Sequence, residues 1–422
     1  MPSKAKTRPS RRKIRSTYFK HQLPVFKCPA RNVVYVKGRR AGGTHGAVMR
    51  LVQMAHGRRR TRHLWIDTVY RNIDKVFARY FRPALRGTRF HWNAVHKVLR
   101  FQGGSYCDFG SAERPETLEG WAYDVIWINE AGHVLRDESL YYNTLLPMAL
   151  ESPAAQFFFV GTPKGGGLFQ SMFSWGQDPA RAEWKSFRHP SMVNPRLDAA
   201  ELARLREHMP ERKYRQEILA EFVTGDGAVF RDVAALATAQ PESEGEPGAV
   251  YVIGVDLARY GDYTVAWVGR PDRQEAVFCE RFHRIPWRLQ VERLARLSRR
   301  FNEARLIVDA TGVGDPICED LRAAGLPVEA VVLTASRKRD LIDALAVAIE
   351  QQRLKFAPHE ATQAELESYE QTASPAGHPR TGAPPGRHDD CVIALALCHW
   401  GLSVPQGRLI LGSPAVFSEY ME

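Results

Sequence analysis

The chain is short of cysteine, of long apolar runs and, over its first stretch, of acid, and each shortage closes off a class of protein. Its cysteines, Cys28, Cys107, Cys279, Cys318, Cys391 and Cys398, are scattered without a C-x-x-C pair. That pattern excludes a disulfide framework and a zinc ribbon and fits a reduced intracellular protein. The longest apolar run, Cys391 to Cys398, falls far short of a membrane span, and no apolar signal region follows the basic N-terminus. A soluble, cytoplasmic chain with no membrane association is expected. No segment repeats at a fixed period. Acid is missing where base is dense: the first fifteen residues carry seven Lys or Arg and no Asp or Glu, and Gly57 to Arg100 carry twelve against two Asp. A stripe of that kind suits a polyanion better than a small acidic molecule.

What is present is ordinary globular composition, 44% apolar and 25% charged, over 422 residues, which is long enough for two domains. The expected division is a basic disordered tail at 1–16, a first domain at 17–225, a linker at 226–249 containing the acidic Pro/Gly stretch PESEGEPG, a second domain at 250–405 and a C-terminal tail at 406–422. In the first domain, apolar strands at 33–36, 63–68, 123–129 and 156–160 alternate with helices at 72–82, around 140–150 and at 197–221. A hairpin joins 98–101 to 105–109. Such alternation argues a parallel α/β sheet. The second domain opens with three strands in succession (250–256, 264–269, 275–282). Helix 287–304, strand 305–309, helix 316–324, strand 328–333, helix 337–352, a loop at 374–387 and a last helix at 388–402 follow. That order suits a mixed sheet flanked by helices.

The stretch NVVYVKGRRAGGTHGAV (32–48) reads as strand, Gly-rich loop and helix, an order that aims backbone N–H groups and a helix N-terminus at one anion. Gly38, Arg39, Arg40, Ala41, Gly42, Gly43 and Thr44 form the loop, with Thr44 where a hydroxyl would reach Mg²⁺. Gly43 stands where the pattern G-x-x-x-x-G-K-[ST] has Lys. Positive charge must then come from Lys37, Arg39 or Arg40, and Arg39 is the favoured main phosphate contact. Asn129-Glu130 ends the buried strand YDVIWIN, where a carboxylate can orient an attacking water. Gly161-Thr162-Pro163 closes the next strand, placed to sense a γ-phosphate. In the second domain Asp256 and Asp309 end strands, Asp389-Asp390 open the last helix, and Asp262 lies close in sequence to Asp256. Several carboxylates converging on one sheet edge repel unless a divalent cation sits between them. Two Mg²⁺ or Mn²⁺ there would serve phosphodiester cleavage.

In order over most of residues 30 to 402, the motifs GRRAGGTHG, PETLEGWAYDVIWINEAG, FFFVGTPKG, YRQEILAEF, IGVDLARYGDYT, LIVDATGVGD and RHDDCVIALAL resemble the large terminase subunits of tailed bacteriophages. The resemblance implies an N-terminal RecA-like (additional-strand) P-loop ATPase domain and a ribonuclease-H-like nuclease domain. It further implies ATP-driven translocation of double-stranded viral DNA into procapsids and metal-dependent cutting of the concatemer. ATP would bind at Gly38–Thr44, with Glu130 the catalytic carboxylate and Gly161, Thr162 and Pro163 coupling hydrolysis to movement. Nuclease metals, Mg²⁺ or Mn²⁺, would sit on Asp256, Asp309, Asp389 or Asp390, and Asp262. Gln22 lies where such ATPases contact adenine. Implied partners are the portal protein of the procapsid, the small terminase subunit and further copies of the chain in a pentameric ring, in the host cytoplasm and docked transiently on the procapsid. The sequence departs from that family at Gly43, commonly Lys, and at Asn129, commonly Asp. Those two losses keep open an alternative: a metal-dependent endonuclease or recombinase whose N-terminal domain binds nucleotide with little or no hydrolysis.

Overall fold

The central strands of the first half are apolar through their middles, so each sends alternate side chains to two helical layers. Val33 and Tyr35, Trp65, Trp127, and Phe158 and Val160 face one apolar cluster, while Val34 and Val36, Leu64 and Ile66, Ile126 and Ile128, and Phe157 and Phe159 face the other. Trp127 stacks on Phe158 with ring centroids 4.2 Å apart. The computed structural model describes residues 18–403, apart from 59, 119–120, 151, 153, 165–166, 224–226, 259–261, 313, 374–378 and 385. The tails expected at 1–16 and 406–422 lie outside the described residues. Two compact units emerge, one of residues up to 206 with 212–224, the other of 207–211 with 225 onward.

The sheet of the first unit has eight strands: β1 (Asn32–Lys37), β2 (Arg62–Asp67), β3 (Phe90–Asn93), β4 (Val98–Phe101), β5 (Tyr106–Ser111), β6 (Val125–Asn129), β7 (Gln156–Gly161) and β8 (Trp184–His189). Their order is β3-β4-β5-β2-β6-β7-β1-β8. The run from β5 to β8 is parallel, and β3 and β4 form an antiparallel edge. An additional strand, β7, therefore separates β1, which leads into the Gly-rich loop, from β6, which ends in Asn129. Helix α1 (Gly43–Gly57) packs Ala47, Val48, Leu51, Val52 and Ala55 on one face of this sheet. The helix expected at 72–82 runs unbroken through Asn72–Val76, a π-turn at Phe77–Phe81 and Arg82–Ala84. Around 140–150 the chain forms a π-turn and a 3-10 turn. The helix expected at 197–221 is two, Ala199–His208 and Glu211–Glu217, parted at Pro210, whose missing N–H cannot continue the ladder.

The second unit has a sheet of β9 (Val252–Asp256), β10 (Thr264–Arg270), β11 (Glu275–Phe282), β12 (Arg305–Asp309), β13 (Val328–Val331) and β14 (Lys355–Phe356) in the order β13-β12-β9-β10-β11-β14. Strands β9, β10 and β11 form an antiparallel meander, and β12 and β13 add in parallel beside β9. Helices α2 (Trp287–Arg300) and α3 (Gly314–Ala323) cover one face; α4 (Ala335–Glu350), α5 (Glu360–Ser368) and α6 (Asp390–Ser403) cover the other. The meander followed by alternating helices and strands is a ribonuclease-H-like arrangement. Two findings differ from expectation here. Part of the supposed loop at 374–387 is strand, with β15 (Glu370–Ala373) pairing antiparallel to β16 (Pro379–Gly382). In the stretch read as a linker, Phe230, Val233 and Leu236 are buried in the core of this unit.

Candidate functional site

The loop after β1 is fixed by its own neighbours before any ligand is considered. Gly42, at φ +86°, caps α1 in the left-handed region that favours glycine. Its carbonyl accepts from Gln22 Nε2 at 2.8 Å, and Gln22 Oε1 accepts from the Phe19 amide at 3.1 Å. Gln22 is fully buried and committed to the loop itself. The Gly38 amide donates to the His189 carbonyl at 2.9 Å, and Ser191 Oγ and Asn194 Nδ2 each donate at 2.6 Å, to the carbonyls of Arg39 and Arg40. Ala41 is buried and its carbonyl lies 3.0 Å from His21 Nε2. What stays open is the front of α1, where the first helical amides lack intrahelical partners.

The cations of the loop divide in a way the sequence did not disclose. The Arg39 guanidinium, favoured above for phosphate, is ion-paired with the buried Glu217, which also holds Lys164. Burial and the nearby Arg39 charge pull the Lys164 pKa down to about 7. Lys37 instead runs underneath the loop: a Cβ added at Gly43 would lie 3.1 Å from Lys37 Cε and 2.9 Å from Val160 Cγ1. The space where a side chain at 43 would begin is thus filled by the stem of Lys37, and its Nζ donates to Glu130 Oε1 at 2.9 Å.

Glu130 directly follows β6 with φ +52°, a left-handed conformation for a non-glycine residue of the kind that clusters at functional sites. Burial opposes its ionisation, but Lys37, His133 and Arg39 outweigh burial and hold the carboxyl below its ordinary range. Thr44 Oγ1 donates to Asn129 Oδ1 at 3.1 Å, and Asn129 Nδ2 donates to Asp67 Oδ2 at 3.0 Å. Asp67, the last residue of β2, is buried, and sequence reasoning passed it over; its signal was an acid ending a strand that neighbours β6. Gly161 ends β7, and a Cβ there would lie 2.7 Å from the Ala131 amide nitrogen, so the 161–163 turn abuts the segment after Glu130. Thr162 is buried, and the Pro163 carbonyl accepts from Gln216 Nε2 at 2.7 Å.

In the second unit, Val308 of β12 lies opposite Val255 of β9, so Asp309 and Asp256 emerge at the same sheet edge. Gly254 lets α6 sit directly on β9, since a Cβ there would fall 2.2 Å from the Cys398 nitrogen. This seating brings Asp389 and Asp390, at the front of α6, to the same edge. One pocket is lined by Asp256, Asp262, Asp309, Asp389 and Asp390 together with Thr311 and Lys338. Burial, then Asp390, Asp309 and Asp389, push the Asp256 carboxyl well above its ordinary range; burial and Asp262 push Asp390 to about 6. Asp262, His388 and Asp390 offer ligand atoms all within 4.8 Å of one another. Lys338 Nζ sits 3.0 Å from Asp389 Oδ2, and Glu365 Oε2 accepts from the Cys391 amide at 2.7 Å, capping α6. Sequence reasoning missed Lys338, His388 and Glu365. Lys338 and Glu365 are scattered on helices, and His388 showed only as the neighbour of the Asp pair. Arg259, Tyr260 and Gly261, between Asp256 and Asp262, lie outside the described residues.

Residues 253–399 match the family described as the terminase RNaseH-like domain. The large terminase subunit of Thermus virus P23-45 is 29% identical over 312 residues, 68% of this chain and 64% of that protein. The chain is similar to phage large terminase subunits. A large terminase from a thermophilic bacteriophage, solved in complex with ADP, superposes with a TM-score of 0.55 over 90% of this chain and 98% of that one, at 16% identity. That likeness supports the two-part fold. A further relative, the large terminase subunit of Escherichia phage T5, is 28% identical over 138 residues, 33% of this chain and 31% of that protein. The match to the P23-45 relative thus spans just under two thirds of that relative's length. Among the described residues, no helix is long and apolar enough to cross a membrane.

Proposed function

We propose that the chain is an ATP-driven motor that packages double-stranded viral DNA into procapsids and cuts the concatemer with a second, metal-dependent site. The observation that carries this reading is the pairing, in one chain, of a glycine cradle backed by the ion pair of buried Lys37 with Glu130 and a pocket of five aspartates.

The residues present fit both groups. The cradle at Gly42–Thr44 would be closed by a side chain at position 43, and a buried Lys already lies beneath it. ATP would set its phosphates against the amides of Gly42, Gly43 and Thr44, with Lys37 Nζ supplying the full positive charge that backbone dipoles lack. Glu130, kept ionised by Lys37, would accept a hydrogen bond from the attacking water and hold it in line. Movement would pass through Gly161, Thr162 and Pro163, since that turn touches the segment after Glu130. In the other unit, Asp256, Asp309 and Asp389 or Asp390, with Asp262, would hold Mg²⁺ or Mn²⁺, because an uncompensated cluster of this density resists ionisation. Bound there, two such ions activate a water and stabilise the leaving 3′ oxygen. Lys338 would neutralise Asp389 until the site is filled. The basic stripe from 57 to 100 would meet DNA phosphates. The portal protein, the small terminase subunit and a pentameric ring of copies, docked transiently on procapsids in the host cytoplasm, complete the reading, and the terminase resemblance supports them. A first domain near 17–225 belongs to it as well, with a second domain that takes in Phe230, Val233 and Leu236 together with 250–405.

The test is ATP turnover by the purified chain with and without double-stranded DNA. Rapid, DNA-stimulated hydrolysis is expected. Nucleotide binding without turnover, with DNA cleavage retained, would favour the nuclease or recombinase alternative.

A further inference from the structure

We propose that Asp67 is a positioning residue that makes Asn129 serve as the magnesium-side acid of the ATPase site, an inference that rests on the ATPase reading above. A carboxylate beside a P-loop hydroxyl presents acceptors in every orientation. An amide does so only if its oxygen, and not its NH₂, faces the site. Asn129 is turned the required way: Oδ1 accepts from Thr44 Oγ1 at 3.1 Å, and Nδ2 points away, donating to Asp67 Oδ2 at 3.0 Å. Flipping the amide would set Oδ1 against Oδ2 of Asp67, two acceptors with no proton between them, in a site where Asp67 is 3% exposed and Asn129 5% exposed. Asp67 is itself fixed, because its Oδ1 accepts from the Thr68 amide at 2.9 Å. Both residues end strands that lie side by side, β2 and β6, with Ile66 opposite Ile128. The carboxylate that position 129 lacks therefore sits one strand over, its pKa raised by burial, and when ionised it polarises the amide toward Thr44. In this way the chain keeps an acceptor oxygen and a nearby carboxylate although the two belong to different residues.

The arrangement predicts that the two side chains can be exchanged. Full-length wild type, Asp67→Asn, Asn129→Asp and the double variant Asp67→Asn/Asn129→Asp would be titrated with a fluorescent, slowly hydrolysed ATP analogue, in EDTA and across a Mg²⁺ series. Thermal melting would monitor the fold. Asp67→Asn frees the amide to flip, so affinity in EDTA should persist while the tightening by Mg²⁺ falls about tenfold or more. Asn129→Asp alone buries two facing carboxylates and should lower the melting temperature. The double variant restores one carboxylate and one amide, with the carboxylate now beside Thr44, and should recover both the Mg²⁺ response and the melting temperature. Asp67→Asn with a wild-type Mg²⁺ response would overturn the assignment. So would a double variant that melts like wild type without regaining that response, since Asp67 would then be only structural. Wild type that fails to bind the analogue at any Mg²⁺ concentration would sink the ATPase reading itself, and this inference with it.

Discussion

Replacing Lys37 tests whether a lysine entering from the strand end has taken over the task of the absent loop lysine. The side chain is 8% exposed and its Nζ lies 2.9 Å from Glu130. Removing one partner of a fully buried pair costs about 3–5 kcal/mol. The Glu130 side chain keeps 30% of its exposure, so water screens part of the loss. The stability cost of Lys37→Met should then be about 1–3 kcal/mol. The cost to turnover should be larger than this suggests, because the same charge faces the transferring phosphoryl group: about 3 kcal/mol of transition-state stabilisation, or roughly a hundredfold in kcat. Arg39→Ala should cost less turnover, since the Arg39 guanidinium is held by Glu217. Gly43→Lys alone would drive its Cβ to 3.1 Å from Lys37 Cε and 2.9 Å from Val160 Cγ1, whereas Lys37→Ala/Gly43→Lys vacates the first of these contacts. The double variant should therefore recover part of the turnover that Lys37→Ala loses. Steady-state ATP hydrolysis and separate measurement of nucleotide affinity would decide. Wild-type kcat in Lys37→Met would refute the reasoning and leave Lys37 as a counter-ion to Glu130.

Three further outcomes follow from the charges. Burial and neighbouring acids raise the folded pKa of Asp256 well above its ordinary range and that of Asp390 to about 6, so ionising them costs stability; the Asp390 share of that penalty is relieved as pH falls below about 6, and Asp256 acts in the same direction. Mn²⁺ should therefore raise the melting temperature of the chain clearly at pH 7.5 and only slightly at pH 5, in differential scanning fluorimetry; an equal rise at both would contradict the cluster. Glu217→Gln leaves Lys164 and Arg39 facing a neutral partner at a site 4% exposed, and should cost about 3 kcal/mol in urea denaturation. Lys338→Met removes the cation paired with Asp389, so calorimetry should find Mn²⁺ bound several-fold more tightly; weaker binding would mean that Lys338 organises the site and does not compete for it.

Much of the fold was legible because buried parallel strands announce themselves as unbroken apolar runs. VVYV, IWI and FFFV each have side chains that must be covered twice. Strand β8 escaped because Lys185 and Arg188 are exposed and only Trp184 and Ser186 are buried, so the run looks like polar surface, although it pairs with β1 along its whole length. The acids Asp256, Asp309 and Asp389-Asp390 could be read as a set, since each sits at the end of an element. Asp67 could not: a single acid after an apolar strand also describes a cap, and its meaning depends on which strand lies beside it. Arg39 was favoured over Lys37 for a similar reason. Nothing near the loop in sequence reveals that Glu217 pairs with Arg39 Nε, or that the lysine stem fills the space above which Gly43 has no side chain. Residues 230–236 read as connector because a few apolar positions among polar ones carry no period, yet they are part of the second core.

The central claim is that one chain carries two separate phosphate chemistries, and a crossed pair of variants tests it most directly. Purified wild type, Glu130→Gln and Asp256→Asn/Asp309→Asn would each be assayed for DNA-stimulated ATP hydrolysis and for plasmid cleavage in Mn²⁺. Glu130→Gln should bind nucleotide and cut DNA while turnover falls by about two orders of magnitude or more. The aspartate pair should hydrolyse ATP at the wild-type rate and leave plasmid intact. Undiminished ATP hydrolysis in the first variant together with undiminished cutting in the second would contradict the account.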